Sequence, residues 1–401
     1  MSGRIRSSGS GRIVRLIVAC VVVGALTTGC AASSPSPSTS TGSSPRTEAP
    51  SPAATRTAGG QDCLIGVSWY NSADLIDWEE PAFQKALQDA GANFQETDAR
   101  AFVDTQRSDI DRLVAAGAKV IVIEPGPEDV ILPALQRATN AGIPVVTLLG
   151  SLEHVRSLHV AFDPVEQGRQ MARGLLAVKP KGDYAIIKGD SSAWPESDLI
   201  ASGIREILQP AVDRGDIKIV AAVETQLWDP GSAMQEMTTI LKQNGGTVDA
   251  VAAESDGMAF GVEQTLAEAG LSGKVTVAGV SDVGGAGGLL AIVRGKQAVD
   301  AWGDPSRLGE AAARAAIALC HDPDITRVDG STSVAWPGRD PMTAILLAPV
   351  AITKDNIGIA IQTGMQWRKL ICGDIPGAPG LPSACQIGPV PVASASPPSQ
   401  T

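Results

Sequence analysis

Short apolar runs alternate with longer amphipathic stretches through the central part of this 401-residue chain. The runs are rich in valine, isoleucine and alanine and are bounded by glycine, proline or aspartate, which is typical of β-strands. They predict strands at LIGVSW (64–69), VIVIEP (120–125), PVVTLL (144–149), LHVAFD (158–163), YAIIKGD (184–190), IKIVAAVET (217–225), AVAAESD (250–256), VTVAGVSD (275–282), QAVDAW (297–302) and ILLAPVAI (345–352).

The stretches between these strands repeat apolar residues at helical spacing, and several end on glycine, which readily closes a helix. They include FQKALQDAG (83–91), DIDRLVAAG (109–117), ALQRATNAG (134–142), MARGLLAV (171–178), AMQEMTTILKQNGG (233–246) and VEQTLAEAG (262–270). Strands that are apolar on both faces and separated by helices predict parallel sheets covered on both sides. The strands are too many for one typical sheet, so we expect an α/β protein of two doubly wound lobes.

The N-terminus has the pattern of a secretory signal, with four arginines followed by the apolar run LIVACVVVGAL (16–26) and small residues. This run is too short to span a bilayer, which needs about twenty apolar residues. We therefore predict a signal peptide at 1–29. The next residue, Cys30, resembles the acylated cysteine of a bacterial lipoprotein, although Leu26 lies one position further upstream than that motif prefers. An export signal with an incidental cysteine is the alternative.

Residues 31–62 are mostly Ser, Pro, Thr, Ala and Gly, and they contain too little apolar surface to fold. We expect a disordered linker at 30–62, anchored by its lipid to the outer face of the cytoplasmic membrane, and a disordered tail at 387–401. Loss of the four basic residues of the signal changes the net charge from −11 to about −15. Such a charge argues against nucleic acid or an anionic membrane surface as a partner, and we expect a monomer.

Four cysteines follow Cys30, and an exported chain favours disulfides between them. Cys372 and Cys385 flank a Gly/Pro-rich loop, so we predict a bridge between these two. Cys63 and Cys320 remain open to pairing or to a role as free buried thiols. His154 and His159 are five residues apart, a spacing that does not place them on one helical face, and His321 is isolated. We expect all three at the surface, so no metal site is predicted.

Tryptophans and aspartates follow the predicted strands, where ligands of parallel sheets bind. A tryptophan offers a flat apolar face with one N–H donor, and an aspartate accepts hydrogen bonds from hydroxyl groups. The alternatives are core packing for the tryptophans and helix capping for the aspartates. The candidate ligand-binding residues are Trp69, Trp78, Asp163, Trp194, Trp228, Asp256, Asp282 and Trp302.

Catalytic and cofactor motifs do not emerge from the sequence. The serine pair in KGDSSAW lacks a nucleophile elbow, VGGAGGLL lacks the last glycine of a dinucleotide fingerprint, and no phosphate-loop lysine is present. We therefore expect a protein that is not an enzyme and needs no cofactor.

Several longer segments resemble one family, the type I periplasmic binding proteins, and are most similar to the xylose- and ribose-binding proteins of ABC importers. These segments are AGAKVIVIEP (116–125), NAGIPVV (140–146), VAFDPVEQG (160–168), AAESDGMAFGVEQTLAEAGLSGKVTVAGVSD (252–282) and ILLAPVAITKDNI (345–357). The resemblance implies two lobes joined by three crossing segments, near 162–163, 302–304 and 347–350. The first lobe would comprise 63–162 and 304–348, and the second 163–303 and 349–386.

The resemblance also matches Trp228 to an aromatic that stacks on the sugar, matches Asp256 and Asp282 to acidic positions, and places Trp302 beside the second crossing. In a cleft between the lobes we therefore expect stacking by Trp228 and Trp302, hydroxyl or cation recognition by Asp256 and Asp282, and a hinge or cleft role for Asp163. The chain departs from the sugar-binding pattern where Leu149-Gly150 replaces an Asp-Arg pair, where Asp74 replaces a basic residue, and at Ala193-Trp194-Pro195-Glu196. The ligand class therefore stays open among a sugar, glycoside, cyclitol or other polyol, nucleoside and cationic small molecule.

These observations predict an exported lipoprotein that binds a small polar ligand, with a sugar or sugar-like solute favoured, and delivers it to an ABC permease in the membrane. One alternative is a receptor of the same fold that signals to a membrane kinase. Another, from a different class, is an extracellular glycoside hydrolase that uses pairs of acidic residues.

Overall fold

The computed structural model describes residues 63–71, 79–192, 194, 196–280, 287–336 and 339–363. Cys30, Trp78, Asp282, Cys372 and Cys385 lie outside these residues, as do the predicted signal, linker and tail. The described strands are β1 Leu64–Trp69, β2 Asn93–Asp98, β3 Ala118–Ile123, β4 Val145–Leu148, β5 Leu158–Phe162, β6 Gly182–Lys188, β7 Ile217–Glu224, β8 Ala250–Ala253, β9 Thr276–Val280, β10 Val299–Trp302, β11 Thr332–Val334, β12 Met342–Leu347 and β13 Val350–Ile352.

Helices connect most of these strands. They are α1 Glu79–Asp89, α2 Val103–Ala115, α3 Glu128–Asn140, α4 Pro164–Val178, α5 Glu196–Asp213, α6 Pro230–Gln243, α7 Asp256–Glu268, α8 Gly287–Val293, α9 Pro305–His321 and α10 Gly358–Thr363. The predicted glycine stops are observed: Gly91, Gly117, Gly142 and Gly270 follow helices with φ between +63° and +92°. At these positions a side chain would strain the backbone, so glycine ends the helix.

The strands form two separate sheets, as predicted. The first has the order β11-β12-β5-β4-β3-β1-β2 and the second the order β13-β10-β9-β8-β6-β7. Strand pairs are parallel except for the terminal pairs β11–β12 and β10–β13, which are antiparallel. The fold is therefore two α/β lobes, each built on a mostly parallel sheet.

Both faces of each sheet are buried under helices, which explains the continuous apolar runs. In β3, Val120 and Val122 join a core with residues of α1 and α9, whereas Ile121 and Ile123 join a core with α2 and α3. The second sheet is covered on one face by α4 and α5 and on the other by α6 and α7. Successive residues of a strand thus belong to different cores.

The chain passes between the lobes at three adjacent places. After β5, the Asp163 N–H donates to the Leu347 carbonyl at 2.9 Å, so the first and third crossings are hydrogen-bonded. After β10, the chain packs so closely on the Phe162 ring that a side chain at Gly303 would overlap it. Three neighbouring segments of this kind form a hinge. The residue boundaries of the lobes themselves remain a prediction.

Three strand predictions need correction. The run at 345–352 is not one strand, because β12 ends at Leu347 in the first sheet and β13 begins at Val350 in the second. Pro349, which has no N–H to donate to a ladder, lies between them. Two strands are missing from the sequence prediction, β2 (NFQETD) and β11 (TSV). Both lie at sheet edges, where polar residues replace the apolar pattern.

Cys63 and Cys320 form a disulfide, with Cα atoms 5.8 Å apart. The free-thiol alternative for these two residues is therefore wrong. Cys63 precedes β1, and Cys320 lies in the last turn of α9, the helix that returns from the second lobe to pack on the first sheet. The bond thus fixes the end of this returning helix to the start of β1.

A search of the described helices finds none that combines the length and the apolar character needed to cross a bilayer.

Candidate functional site

Three neighbouring strands of the second sheet, β8, β6 and β7, bring three residues together at their carboxyl ends. Glu254 follows β8, Gly189 follows β6, and Trp228 lies in the loop after β7. Glu254 Oε2 accepts hydrogen bonds from the Gly189 N–H at 3.0 Å and from Ser197 Oγ at 2.5 Å. One carboxyl group therefore connects β8, the loop after β6 and the first turn of α5.

Trp228 covers this cluster from the β7 side. Leu227 and Trp228 have φ values of +52° and +57°, a left-handed conformation that is uncommon for residues with side chains. The indole ring lies against Gly189 so closely that a Cβ at that position would overlap it. The ring is half-buried, and its buried Nε1 has no hydrogen-bond partner in the described part of the chain. An aromatic surface and an unused donor thus lie where parallel sheets bind ligands.

Burial favours the protonated form of the Glu254 carboxyl group. Its side chain is almost fully buried, and this burial raises its pKa to about 8, although Ser197 and the Gly189 N–H oppose the rise. Its second oxygen, Oε1, has no hydrogen-bond partner among the described residues. At neutral pH this carboxyl group is therefore protonated, and it is able to donate a hydrogen bond as well as accept one.

The carboxyl edge of the first sheet is organised by Glu124, which follows β3. Its carboxylate accepts hydrogen bonds from the N–H groups of Tyr70 at 3.0 Å and Asn71 at 3.1 Å. Gln106 on α2 donates to the Glu124 carbonyl at 2.7 Å and accepts from the Gly126 N–H at 2.8 Å. These bonds hold the ends of β1 and β3 together against α2.

Glu79, the first residue of α1, is a second buried acid. Burial raises its pKa to about 8, and the neighbouring carboxylates of Glu124 and Asp304 add to this rise. Its Oε2 has no hydrogen-bond partner within the described residues. Each lobe therefore holds a buried glutamic acid with a raised pKa, Glu79 in the first and Glu254 in the second.

Two of the candidate tryptophans lie in hydrophobic cores. Trp69 and Trp302 are each 1% exposed. Trp69 packs edge-to-face on Phe83, with ring centroids 5.5 Å apart, and donates to Glu96 Oε1 at 3.3 Å. Trp302 packs with residues of α8 and α10. Trp69 and Trp302 therefore fit the alternative that these tryptophans pack in the core.

Trp194 differs from these two because it is 41% exposed. Its backbone N–H donates to the Asp190 carbonyl at 2.9 Å, and Asp190 also accepts from the Leu227 N–H at 3.3 Å. The loops after β6 and β7 are thus connected beside Trp228. Of the candidate tryptophans in the described residues, Trp194 is exposed, and Trp228 is partly exposed and packs against two cores of the second lobe.

The candidate aspartates have structural partners. Asp163 caps α4, since its Oδ1 accepts from the N–H groups of Val165 at 3.0 Å and Glu166 at 3.1 Å. Asp256 is 4% exposed, and its Oδ2 accepts from the Gly288 N–H at 3.0 Å, which joins the start of α7 to α8. Asp163 therefore fits the helix-capping alternative. Asp256 makes a hydrogen bond that joins two helices of the second lobe.

The expectation that the histidines lie at the surface is wrong for His159, which is fully buried. Its Nδ1 lies 2.9 Å from Thr147 Oγ1, and its ring meets Trp336 edge-to-face at 5.8 Å. Burial lowers its pKa to about 4. His159 lies in β5, and its side chain points to the opposite face of the sheet from Leu158 and Val160. Because both faces of this sheet are covered, the imidazole is buried.

Glu254 is a site residue that was not predicted from the sequence. Its signal was its position immediately after a buried strand, one step ahead of the Ser255-Asp256 pair on which the family resemblance concentrated. The position of the missing Asp-Arg pair is apolar in the structure too: Leu149 packs partly on the first core and has a φ of +64°.

Comparisons with known proteins agree with this architecture. A family model described as "Periplasmic binding protein domain" matches residues 65–322, well over half of the chain. The chain belongs to this family. It is therefore a binding protein rather than an enzyme, and the resemblance and the two-lobed type I fold predicted from the sequence are confirmed.

The chain is 30% identical over 295 residues to the D-xylose-binding periplasmic protein of Escherichia coli strain K12, covering 72% of this chain and 84% of that protein. A xylitol-binding protein of Mycolicibacterium smegmatis is 26% identical over 300 residues, covering 74% and 79%. Among solved structures, a solute-binding protein of Clostridium phytofermentans with bound β-D-glucose matches with a TM-score of 0.60 and 22% identity, covering 74% and 96%. The structural similarity supports the fold of this binding protein.

Proposed function

We propose that this protein captures a small polar solute, a sugar or sugar-like polyol, between its two lobes outside the cytoplasm and delivers it to the permease of an ABC transporter. The observation that carries this proposal is the cluster at the carboxyl ends of β8, β6 and β7. There Trp228 supplies a flat ring that suits the C–H face of a sugar, and Glu254 supplies a neutral carboxyl group.

The relatives support this ligand class, since their names give D-xylose and xylitol as ligands, one cyclisable and one acyclic. A solved structure of the same fold, from Bacillus halodurans, carries myo-inositol. The absence of the Asp-Arg pair at Leu149-Gly150 removes charged hydrogen bonds to hydroxyl groups, each worth about 1.5–3 kcal/mol. We therefore place polyols and cyclitols ahead of simple pentoses.

The first prediction concerns Trp228. A thermal-shift screen of the protein with D-xylose, xylitol, myo-inositol and D-glucose should give at least one stabilising compound. A ligand concentration a hundredfold above Kd should raise the free energy of unfolding by about 2.7 kcal/mol. Trp228→Ala should abolish that shift, because it removes the stacking surface. Phe260→Ala is the matched control, since Phe260 is 55% exposed on α7 and should leave the shift intact. A shift that survives in Trp228→Ala would contradict the assignment of the site.

The second prediction concerns the anchor. We infer that Cys30 is acylated after removal of residues 1–29, because it directly follows the apolar run and small residues of the signal, as the acylated cysteine of a bacterial lipoprotein does. Two or more acyl chains would give stable membrane attachment. Cys30→Ser should move the protein from the membrane fraction to the soluble fraction while ligand binding stays unchanged. Fractionation and metabolic labelling with a radioactive fatty acid measure this. Equal membrane retention of both forms would rule out acylation at this residue.

A further inference from the structure

One acidic side chain of the second lobe reaches the first lobe. Glu196 begins α5, which packs on α4 under the second sheet. Its carboxylate lies 4.0 Å from Nε2 of His159, a residue of β5 in the first sheet. Ser151 and Arg339, which flank β4 and β12 of the first sheet, are close enough to act on the pKa of Glu196. The contact therefore joins the two lobes.

This contact contains several buried polar atoms that no described residue satisfies with a well-formed hydrogen bond. They are Nε2 of His159, both carboxylate oxygens of Glu196, and Nε1 of Trp336. Buried polar atoms are paired in the great majority of native structures, because an unpaired one loses its bonds to water without replacement. A group of them at the boundary between two hinged lobes indicates an arrangement that is completed by movement.

The distance shows what movement is needed. A hydrogen bond between nitrogen and oxygen spans about 2.7–3.2 Å, so 4.0 Å is about 1 Å too long. A small approach of the lobes would therefore join Glu196 to His159 directly.

The imidazole is able to make this bond in either direction. Its other nitrogen faces the hydroxyl group of Thr147, which can donate or accept. Nε2 is therefore free to donate to a carboxylate or to accept from a protonated carboxyl group. Trp336 packs against the ring edge and keeps it in place.

We propose that Glu196 and His159 form an interlobe latch: a hydrogen bond that is completed when the lobes close and that holds the closed form. Both are positioning residues, since they act on the solute through the arrangement of the lobes. The role as an aid to solute capture rests on the proposed function, whereas the contact between the lobes does not.

The charges around the latch give its dependence on pH. Burial raises the pKa of Glu196. Hydrogen bonds from its own backbone N–H and from Ser151, and the positive charge of Arg339, oppose this rise. Arg339 also lies 3.5 Å from the carboxylate of Glu153. The contact between the lobes already buries Glu196, so opening that exposes it would release a proton, and the closed arrangement is favoured as the pH falls through the raised pKa of Glu196. His159, whose pKa burial lowers to about 4 from 6.5, acts in the opposite direction as the pH falls from 6.5 towards 4.

The experiment measures closure directly in the full protein. Small-angle X-ray scattering without ligand, at pH 5.5 and pH 8, reports the separation of the lobes, and titrations with D-xylose and myo-inositol report affinity. Three variants are compared with the wild type: Glu196→Ala, which removes the latch; Glu196→Gln, which keeps a hydrogen-bonding group but cannot titrate; and Glu166→Gln. Glu166 is the matched control, because it lies in the first turn of α4 and pairs with Arg173 on the same helix.

We expect Glu196→Ala to have a larger radius of gyration than the wild type and a Kd for any bound probe raised about three- to tenfold, the effect of one lost hydrogen bond. Glu196→Gln should stay compact at both pH values and lose the pH dependence, and Glu166→Gln should match the wild type. Equal radii for Glu196→Ala and the wild type at pH 5.5 would overturn the latch. If neither probe binds the wild type while the radii differ as expected, the latch stands and the ligand class of the proposed function fails.

Discussion

Removal of the Cys63–Cys320 disulfide is expected to lower the free energy of unfolding by about 5 kcal/mol. The bond closes a loop with a sequence separation of 257, and the chain entropy that a crosslink removes from the unfolded state grows with loop length. It also fixes the end of α9 to the start of β1, both of which pack on the first core. Without it, the helix that returns from the second lobe would lose its disulfide link to β1 and be held by packing and by hydrogen bonds such as that from Arg307 to the Ala348 carbonyl at 3.1 Å.

Urea denaturation of Cys63→Ser/Cys320→Ser beside the wild type measures this loss. Cys372→Ser/Cys385→Ser is the matched control, since it changes the same number of cysteines. If the predicted second bridge exists, it closes a short loop and its loss should lower stability by only about 3 kcal/mol. A midpoint for Cys63→Ser/Cys320→Ser equal to that of the wild type would show that the bond contributes nothing to stability.

The protein is expected to be more stable at pH 5.5 than at pH 8.5. Glu79 and Glu254 have pKa values of about 8 in the folded state, whereas a glutamate in an unfolded chain titrates near 4.5. Between these values the folded state holds a proton that the unfolded state has released. Stability therefore falls as the pH rises from 4.5 to 8, by about 1.4 kcal/mol per pH unit for each such proton.

His159 contributes with the opposite sign, because burial lowers its pKa to about 4 from 6.5. Its contribution is lost as the pH falls from 6.5 to 4. The two glutamic acids together outweigh this single histidine above pH 4.5, so stability is expected to fall as the pH rises from about 4.5 upwards.

Melting temperatures of the wild type and of two isosteric variants at pH 5.5, 7 and 8.5 check this expectation. Glu254→Gln and Glu79→Gln should each reduce the fall of the melting temperature with rising pH by the contribution of one proton, because an amide cannot ionise. Glu206→Gln is the matched control, since Glu206 lies on the surface and pairs with Arg169. A melting temperature that rises between pH 5.5 and 8.5 would mean that the buried acids are ionised in the folded protein.

The sequence predicted the central strands well, because a strand buried on both faces has no polar residues to interrupt its apolar run. AKVIVI in β3 and AVAA in β8 illustrate this. It failed at the edges, where NFQETD in β2 faces solvent on part of its surface and shows no such run. It also joined two strands at 345–352, because one continuous apolar segment there serves two different sheets.

The candidate site was predicted less completely than the fold. The position of Trp228 after a strand, and its resemblance to a stacking aromatic, were visible in the sequence. Trp69 has the same type of position, yet it points into a core beside Phe83. Side-chain direction at the end of a strand depends on the neighbouring helices, and a one-dimensional pattern does not contain it.

By itself, the sequence determined the α/β class, the two lobes, the glycine helix stops and the family, because these follow from local periodicity and from segments of contiguous residues. The tertiary structure alone decided the Cys63–Cys320 bond, the burial of Glu254 against Gly189, and the approach of Glu196 to His159. Each of these joins residues that lie far apart in the chain. Their burial and their pKa values depend on which surfaces the folded chain brings together.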